Sequence, residues 1–211
     1  MGNFGVEIRK TKEGVEAARA TTETKVAVLL ERGARQKPKL ETTLPFLDHM
    51  LEMIWWRSGF NISVSVKAER RLEHTIAEDA GITFGKAVRS LCEAEMCSGI
   101  NGTAVRRSMI DEALAEVALS IEGRAGCWVD RECEGAKAAL VENMASCDLR
   151  AFLDGFSQGA GASVRVSLLK GEDPHHTWEA AFRAFGEALA EAFRSNPWRA
   201  GGIAGVKGTL E

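Results

Sequence analysis

The sequence contains 211 residues, of which 45% are hydrophobic and 27% are charged. A chain of this length and apolar content buries a sizeable core, as one domain or as two fused halves. The formal net charge of -3 gives no electrostatic reason to expect a nucleic-acid partner. Because no segment approaches the roughly 18 apolar residues of a membrane helix, we expect no membrane partner either.

Cysteine usage predicts a reducing compartment. The five cysteines are odd in number and include no CxxC pair of the kind that holds zinc. No N-terminal apolar stretch resembles a signal peptide. We therefore expect a cytoplasmic protein with reduced thiols.

Apolar periodicity in the first part of the chain alternates between strand and helix. Residues 25–30 form an apolar run that predicts a strand, and residues 35–43 form a polar loop. The helical spacing that follows places His49 on a helix or at its start. Alternation over residues 62–66 predicts a half-buried strand, and residues 75–96 predict a helix.

The second part of the chain repeats this order after a connector at residues 97–102. Strands are predicted around residues 113–121, 125–129 and 164–166, and helices around residues 147–156 and 175–193. We interpret residues 1–98 and 99–211 as two half-repeats of one compact unit, each ordered strand, strand, helix, strand, helix. Because the helices carry broad apolar faces, the predicted α+β fold places a helical layer between two four-stranded sheets.

A pattern of metal-ligand residues occurs twice on the predicted helices. The intact copy is His175-His176-Thr177-Trp178-Glu179, and the second copy is His74-Thr75-Ile76-Ala77-Glu78, 101 residues earlier. Residues four apart share a helical face, so each His/Glu pair can chelate one ion. His176 is rotated by about 100° from its neighbour and would serve a different ion. The pattern predicts two metals, although a lone His/Glu pair of this kind is more often only hydrogen-bonded or solvated.

The fourth histidine of the chain, His49, has no counterpart in the second half. The corresponding position there is Ala151. Taken alone, His49 could equally be a helix-start histidine that is bonded to Asp48. Its position in the repeat adds it to the candidate metal ligands.

Several strings together resemble one known family, imidazoleglycerol-phosphate dehydratase of histidine biosynthesis. The resemblance runs from about Glu7 to Leu210. Its most specific strings are Phe46-Leu47-Asp48-His49-Met50-Leu51 and His175-His176-x-x-Glu179. The others are Arg19-Ala20-Thr21-Thr22-Glu23-Thr24, Glu78-Asp79, Asp111-Glu112-Ala113-Leu114, Gly123-Arg124 and Lys207-Gly208.

The resemblance implies a fold, an assembly and a reaction. The fold is of the ribosomal protein S5 domain 2-like type, assembled from trimers into a 24-subunit homo-oligomer with active sites at subunit contacts. The reaction is that of a hydro-lyase, which eliminates water from imidazole glycerol phosphate to give imidazole acetol phosphate. The expected partners are this phosphorylated imidazole and further copies of the chain.

The resemblance also implies two manganese ions per active site. One ion is expected to bind His49 with His175 and Glu179 of a neighbouring subunit, and the other to bind His74 and Glu78 with a neighbour's His176. Zn²⁺ or another divalent ion is the alternative.

Each of these two metal sites lacks one histidine that the family normally has. Thr75 and Ala151 stand at the two positions. Losing a neutral histidine removes affinity but no charge, and water can occupy the vacant position.

The resemblance assigns the chemistry to a few residues. Glu23 is expected to contact the substrate and to transfer the proton, while His49 and Glu179 act in catalysis as metal ligands. Without the resemblance, Glu23 would be an ordinary glutamate at the edge of a strand.

The phosphate of the substrate is expected to contact Arg124, Arg183 and Lys207. Arg183 stands where the family usually has a lysine, which preserves the cation. Gly102 and Gly205 replace an arginine and a serine that the family places beside the phosphate. Arg106 and Arg107 lie close enough in the sequence to substitute for them, and the alternative is that both arginines are solvated.

Three functional interpretations remain open on the sequence. The first is a working dehydratase with weakened or altered metal sites. The second is a non-catalytic paralogue that retains the oligomeric shell, and the third is a protein whose histidines hold one structural metal, such as zinc.

Overall fold

The computed structural model describes residues 5–202, so Lys207 and the other residues from 203 onward lie outside the described part. The first half contains β1 (Gly5–Lys10), β2 (Gly14–Ala20), β3 (Thr24–Glu31), β4 (Lys39–Glu41), α1 (Pro45–Ser58), β5 (Asn61–Ala68) and α2 (Glu73–Glu95). The second half contains β6 (Thr103–Ile110), β7 (Ala113–Ser120), β8 (Gly126–Arg131), β9 (Leu140–Val141), β10 (Met144–Ala145), α3 (Ser146–Ala160), β11 (Ser163–Lys170) and α4 (Pro174–Ala192). Among the described helices, none is long and apolar enough to cross a membrane.

Two sheets enclose the four helices. The first sheet has the order β1-β2-β3-β5-β4, and the second has the order β6-β7-β11-β8. Helix α2 packs on β2 and β3, and α4 packs on β6 and β7. Between the sheets, α1 packs against α4 and α2 packs against α3. The predicted α+β fold with a helical layer between two sheets is therefore confirmed.

The first sheet has five strands rather than four. The additional strand, β4, lies inside residues 35–43, where the sequence predicts only a loop, and Leu40 on it pairs in parallel with Val64 of β5. Three residues are too few to show a period, so tertiary pairing decides this element. Strands β1, β2 and β6 also lie outside the predicted strands. Each half ends in helix, strand, helix as predicted, and the boundary between residues 98 and 99 stays a prediction.

All four helices run in the same direction. Gly59, with a left-handed φ of 73°, ends α1 shortly before β5 begins, and α2 starts soon after β5 ends. Both helices therefore run antiparallel to β5 and parallel to each other. Gly161, with φ 59°, ends α3 in the same way before β11 and α4. Near the starts of α1 and α4, His49 lies beside Glu179. Further along the same two helices, Arg57 lies beside Glu187. Helices α1 and α4, which come from different halves, are therefore parallel as well.

Four glycines bring α2 and α3 into backbone contact. They are spaced four apart on each helix, as Gly81 and Gly85 on α2 and Gly155 and Gly159 on α3. A Cβ atom added at Gly81 would overlap the carbonyl oxygen of Phe152, and the other three glycines face equally close backbone atoms. Any side chain at these positions would push the two helices apart.

We expect the substitution Gly81→Ala to destabilise the fold. Alanine is about 1 kcal/mol better than glycine inside an isolated helix. Here, overpacking against a rigid backbone opposes that gain and costs about 1–3 kcal/mol or more. Urea unfolding should therefore give a lower free energy of unfolding for Gly81→Ala, with little change for Lys86→Ala, an exposed control on the same helix. A more stable Gly81→Ala variant would contradict the backbone contact.

Candidate metal centre

The four histidines of the chain lie near the starts of parallel helices. His49 is the fifth residue of α1, His74 is the second residue of α2, and His175 and His176 are the second and third residues of α4. Helix starts carry partial positive charge, which favours anions and opposes cations. A cation at this end of the molecule therefore needs carboxylate ligands beside the histidines.

His49, His175 and Glu179 converge within one chain. Glu179 Oε2 lies 3.2 Å from His49 Nε2 and 3.3 Å from His175 Nε2. One ligand atom from each residue lies within 4.8 Å of the other two, and this is the one such group of three in the described residues. Parallel packing of α1 on α4 produces the cluster, because it places the starts of the two helices side by side. The three side chains form a donor set for one divalent ion.

This convergence bears on one expectation. The resemblance implied that His175 and Glu179 reach the ion of His49 from a neighbouring subunit. In the structure the three side chains meet within a single chain, and their role as metal ligands stays a prediction.

Glu179 remains ionised although it is buried, with a relative exposure of 4%. Burial acts to raise the pKa of this carboxyl, but hydrogen bonds from Arg183 and His49 outweigh it and hold the pKa below its usual value. A buried carboxylate that stays charged suits a metal ligand.

Each histidine has a carboxylate beside its Nδ1 atom. The pairs are His49 with Glu52 at 4.0 Å, His74 with Asp148 at 3.2 Å, His175 with Glu142 at 3.1 Å and His176 with Glu112 at 3.0 Å. An N–H donated from Nδ1 to a carboxylate orients the ring and leaves Nε2 as the electron-pair donor for a metal. In three of the four pairs the distance is that of a hydrogen bond. This arrangement is typical of metal-binding histidines.

Two of these carboxylates lie in tight turns, and their roles were not predicted. Glu142 lies in the turn between β9 and β10, where it has φ 48° and Asn143 has φ 63°. The sequence there lacks the Asn-Gly or Asp-Gly signature of such a turn, so nothing in it pointed to this position. Glu112 is part of one of the sequence strings that resemble the family. Its contact with His176, however, depends on the turn between β6 and β7, which the sequence did not predict.

Glu112 holds His176 by an ionic hydrogen bond at the surface. The pKa of Glu112 is lowered to about 2 by hydrogen bonds to its carboxylate. The largest effect comes from the backbone N–H of Asp173, and further backbone N–H groups and His176 add to it. The bond to Glu112 in turn raises the pKa of His176 above 6.5, against a smaller effect of desolvation. His176 Nε2 also lies 3.4 Å from the Asp111 carboxylate.

The second predicted ligand set does not assemble within one chain. His74 lies beside Asp148 of α3, and His176 lies beside the turn between β6 and β7. The α2–α3 pair is the repeat counterpart of the α1–α4 pair, and the small, buried Ala151 occupies the position that corresponds to His49. Within one chain, this pair therefore retains only His74 and Glu78 of its predicted ligands.

Glu23 lies away from the cluster of His49, His175 and Glu179. It is exposed in the turn between β2 and β3 and lines a cavity of about 420 Å³ together with Arg70, Leu72 and Thr75. Within one chain, Glu23 is thus beside the start of α2 rather than beside His49.

The residues expected at the phosphate are also spread over the chain. Arg124 is exposed in the loop between β7 and β8, and Arg183 contacts Glu179. Gly102 is buried with φ 71°, a conformation that a larger residue adopts only with strain. Local backbone geometry therefore accounts for the glycine at that position. Gly205, like Lys207, lies outside the described residues.

A cavity of about 550 Å³ is lined by the two histidines of the cluster, His49 and His175, but not by Glu179. Its lining includes the rings of His49 and His175, the apolar side chains of Phe46 and Met144, and Arg71. Phe46 lies edge-on to His175 at 5.2 Å between ring centroids. A small planar ligand could enter this cavity and reach the cluster.

Comparison with known proteins places the chain in a family. The model of the family "Imidazoleglycerol-phosphate dehydratase" matches residues 42–189. The chain belongs to this family. A dehydratase is a hydro-lyase, so membership makes the chain an enzyme of that class.

Individual relatives support the same placement. The imidazoleglycerol-phosphate dehydratase of Kineococcus radiotolerans is 34% identical over 91% of this chain and 96% of its own length. That of Acinetobacter baylyi is 31% identical over 96% of this chain and 98% of its own length. The crystal structure of the Pyrococcus furiosus protein matches with a TM-score of 0.76 at 28% identity, covering 90% of this chain and 98% of that one. The Staphylococcus aureus structure, at 23% identity and TM-score 0.70, supports the fold.

We expect the Glu142→Gln variant to bind a divalent metal more weakly. Loss of the carboxylate removes the acceptor that orients His175, and changes of this kind typically cost about 10–100-fold in metal affinity. Calorimetric titration with Mn²⁺ measures the change. Glu134→Gln is a suitable control, because Glu134 is exposed between β8 and β9 and pairs with Lys137. Equal affinities for both variants would contradict the role of Glu142.

We also expect the pKa of His176 in the metal-free protein to fall toward 6.5 in the Glu112→Gln variant. The pKa of His176 is higher in the folded protein than in the unfolded protein. The stability that this ion pair contributes is therefore present at pH values below the pKa of the unfolded protein, and it is lost as the pH rises through the pKa of the folded protein. NMR titration of the His176 ring measures this pKa. A value that does not change in Glu112→Gln would show that the pair does not form in solution.

Proposed function

We propose that the protein is a metal-dependent imidazoleglycerol-phosphate dehydratase, which converts imidazole glycerol phosphate to imidazole acetol phosphate in histidine biosynthesis. The observation that supports this most is the cluster of His49, His175 and Glu179, whose two histidines line a cavity. The names of the relatives, at 31–34% identity over more than nine tenths of the chain, point to the same reaction.

The donor set suits a catalytic ion. Two imidazole nitrogens and one carboxylate oxygen form three protein ligands, which leaves further positions for substrate or water. Mn²⁺ accepts such mixed ligands, and Zn²⁺ or another divalent ion is the alternative. When bound, the ion supplies a Lewis acid that draws electron density from the imidazole ring while a carbon proton leaves.

The residues around the cluster bind and orient the ring. Phe46 and Met144 provide an apolar wall for a flat heterocycle and limit access of water. Glu142 lies within hydrogen-bond distance of His175 Nδ1 and orients that ring, while Glu179 holds His49 through Nε2. These contacts hold the imidazole ring of the substrate in one orientation before its proton is transferred.

Glu23 is proposed as the group that transfers the proton. A carboxylate suits this role when its surroundings tune its pKa. Because Glu23 lies beside Thr75 and away from His49 in one chain, a second subunit has to bring the two together. We therefore propose a homo-oligomer, in the family's 24-subunit arrangement, with active sites at subunit contacts.

Arg124 and Lys207 are proposed to bind the phosphate of the substrate. Arg124 offers an exposed guanidinium at the surface, which suits bidentate binding of phosphate oxygens. The protein is proposed to act in the cytoplasm.

We propose a second ion between His74 and Glu78 of one subunit and His176 of a neighbour. The Nδ1 atoms of His74 and His176 already have carboxylate partners, so both Nε2 atoms are oriented for a metal. This site has fewer ligands from one chain than the first, and Ala151 adds none. Its affinity should therefore be lower and should depend on assembly.

The two alternatives predict different behaviour. A structural metal normally has a closed shell of four protein ligands, whereas the cluster here supplies three and its two histidines line a cavity. A non-catalytic paralogue would assemble and could bind metal, but it would not turn over the substrate.

Activity and metal content of the purified protein test the proposal. We expect dehydration of imidazole glycerol phosphate with Mn²⁺ present, and metal titration with one tight and one weaker class of site. His49→Ala should remove the tight class, and His74→Ala should remove the weaker one. No turnover under saturating Mn²⁺, in protein that is folded and assembled, would exclude the dehydratase.

A further inference from the structure

The two oxygens of the Glu179 carboxylate have different partners. Oε2 faces His49 and His175 at 3.2 and 3.3 Å. Oε1 accepts hydrogen bonds from Arg183, at 2.9 Å from Nε and 2.5 Å from Nη2. The carboxylate is thus divided between a cation on one side and the two histidine ligands on the other.

Arg183 is itself held in place by the second sheet. Its Nη1 atom donates to the backbone carbonyl of Met109 on β6, at 3.3 Å. All three guanidinium nitrogens therefore have acceptors within the chain, and the side chain is largely buried at 22% exposure. The spacing of Glu179 and Arg183, four residues apart on α4, aligns the pair along one helical face.

We infer that Arg183 is a positioning residue for the metal ligand Glu179. The inference rests on the proposed metal-dependent function. Sequence resemblance alone assigned Arg183 to the phosphate. Within the chain, the contacts of its guanidinium are to Glu179 and to the backbone of β6, and these contacts support a positioning role.

The arrangement determines how Glu179 presents itself to an ion. With Oε1 engaged by two N–H groups, only Oε2 is directed toward the histidines, so Glu179 binds through one oxygen. The guanidinium also keeps the buried carboxylate charged. A lysine would supply one point charge and could not form the planar pair of bonds.

The test measures metal binding in the absence of substrate. We expect the Arg183→Gln variant to bind Mn²⁺ at least about tenfold more weakly than the parent, as is usual when the partner of a metal ligand is lost. Arg183→Lys keeps the positive charge but not the paired N–H groups of the guanidinium. Its affinity for Mn²⁺ should lie between those of the parent and of Arg183→Gln. Calorimetry or competition with a metal-sensitive dye gives the dissociation constants, and circular dichroism confirms that each variant is folded.

Arg57→Gln is the matched control. Arg57 also links α1 and α4, through Glu187 at 3.0 Å, but further along the helices from the histidines. Loss of this pair should leave the metal dissociation constant unchanged. If Arg57→Gln weakens binding as much as Arg183→Gln does, the effect is general loosening of the helix pair, and the inference is wrong.

Steady-state kinetics separate the inference from the function it rests on. If Arg183→Gln binds Mn²⁺ like the parent while KM for the substrate rises, Arg183 is a phosphate contact and the inference fails. If the parent protein shows no turnover but Arg183→Gln still weakens Mn²⁺ binding, the inference holds and the proposed function fails. Should Arg183→Gln not fold, the dissociation constant of Arg183→Lys decides in the same way.

Discussion

The parallel direction of the four helices is the constraint on which the rest of the molecule depends. It follows from two short connections in each half, since a helix that turns directly into a strand and back must run antiparallel to that strand. The helix starts are therefore gathered at one end, with their partial positive charges together. Carboxylates stand close to these charges, Asp48 and Glu73 among them in the first turns of α1 and α2. The same end holds every histidine of the chain, so fold and candidate site have one cause.

The two helix pairs meet this constraint in different ways. Four glycines bring α2 and α3 into backbone contact, whereas the α1–α4 pair has Gly186 against Ile54 and otherwise packs through side chains. The α1–α4 pair has three candidate ligands together within one chain. In the α2–α3 pair, buried Ala151 occupies the position that corresponds to His49. Within one chain, the first pair therefore brings three candidate ligands together, and the second pair retains only His74 and Glu78 of its predicted set.

Helical periodicity carried most of what the sequence could predict. The long apolar faces of α2 and α4 have enough turns to define a period, and the His/Glu spacing of four on α4 fixed which side chains share a face. Nothing local predicted β4, whose three residues are ordered by pairing with β5. Glu142 was equally out of reach, because its contact with His175 depends on a turn at residues 142–143 that carries no typical signature. Resemblance predicted that His49 and His175 belong together, but only the packing of α1 on α4 shows that they meet within one chain.

The charges that remain at the two candidate sites would attract a cation. The replaced positions, Thr75 and Ala151, stand for neutral histidines, so the carboxylates that offset the helix starts are retained. In the first cluster, Glu179 contributes a full charge that Arg183 partly balances on the side away from the histidines. That balance keeps a buried carboxylate ionised in the metal-free protein, at the cost of weakening its attraction for a cation. A divalent ion would contact Oε2, so the ion and the guanidinium would occupy different oxygens of the same carboxylate.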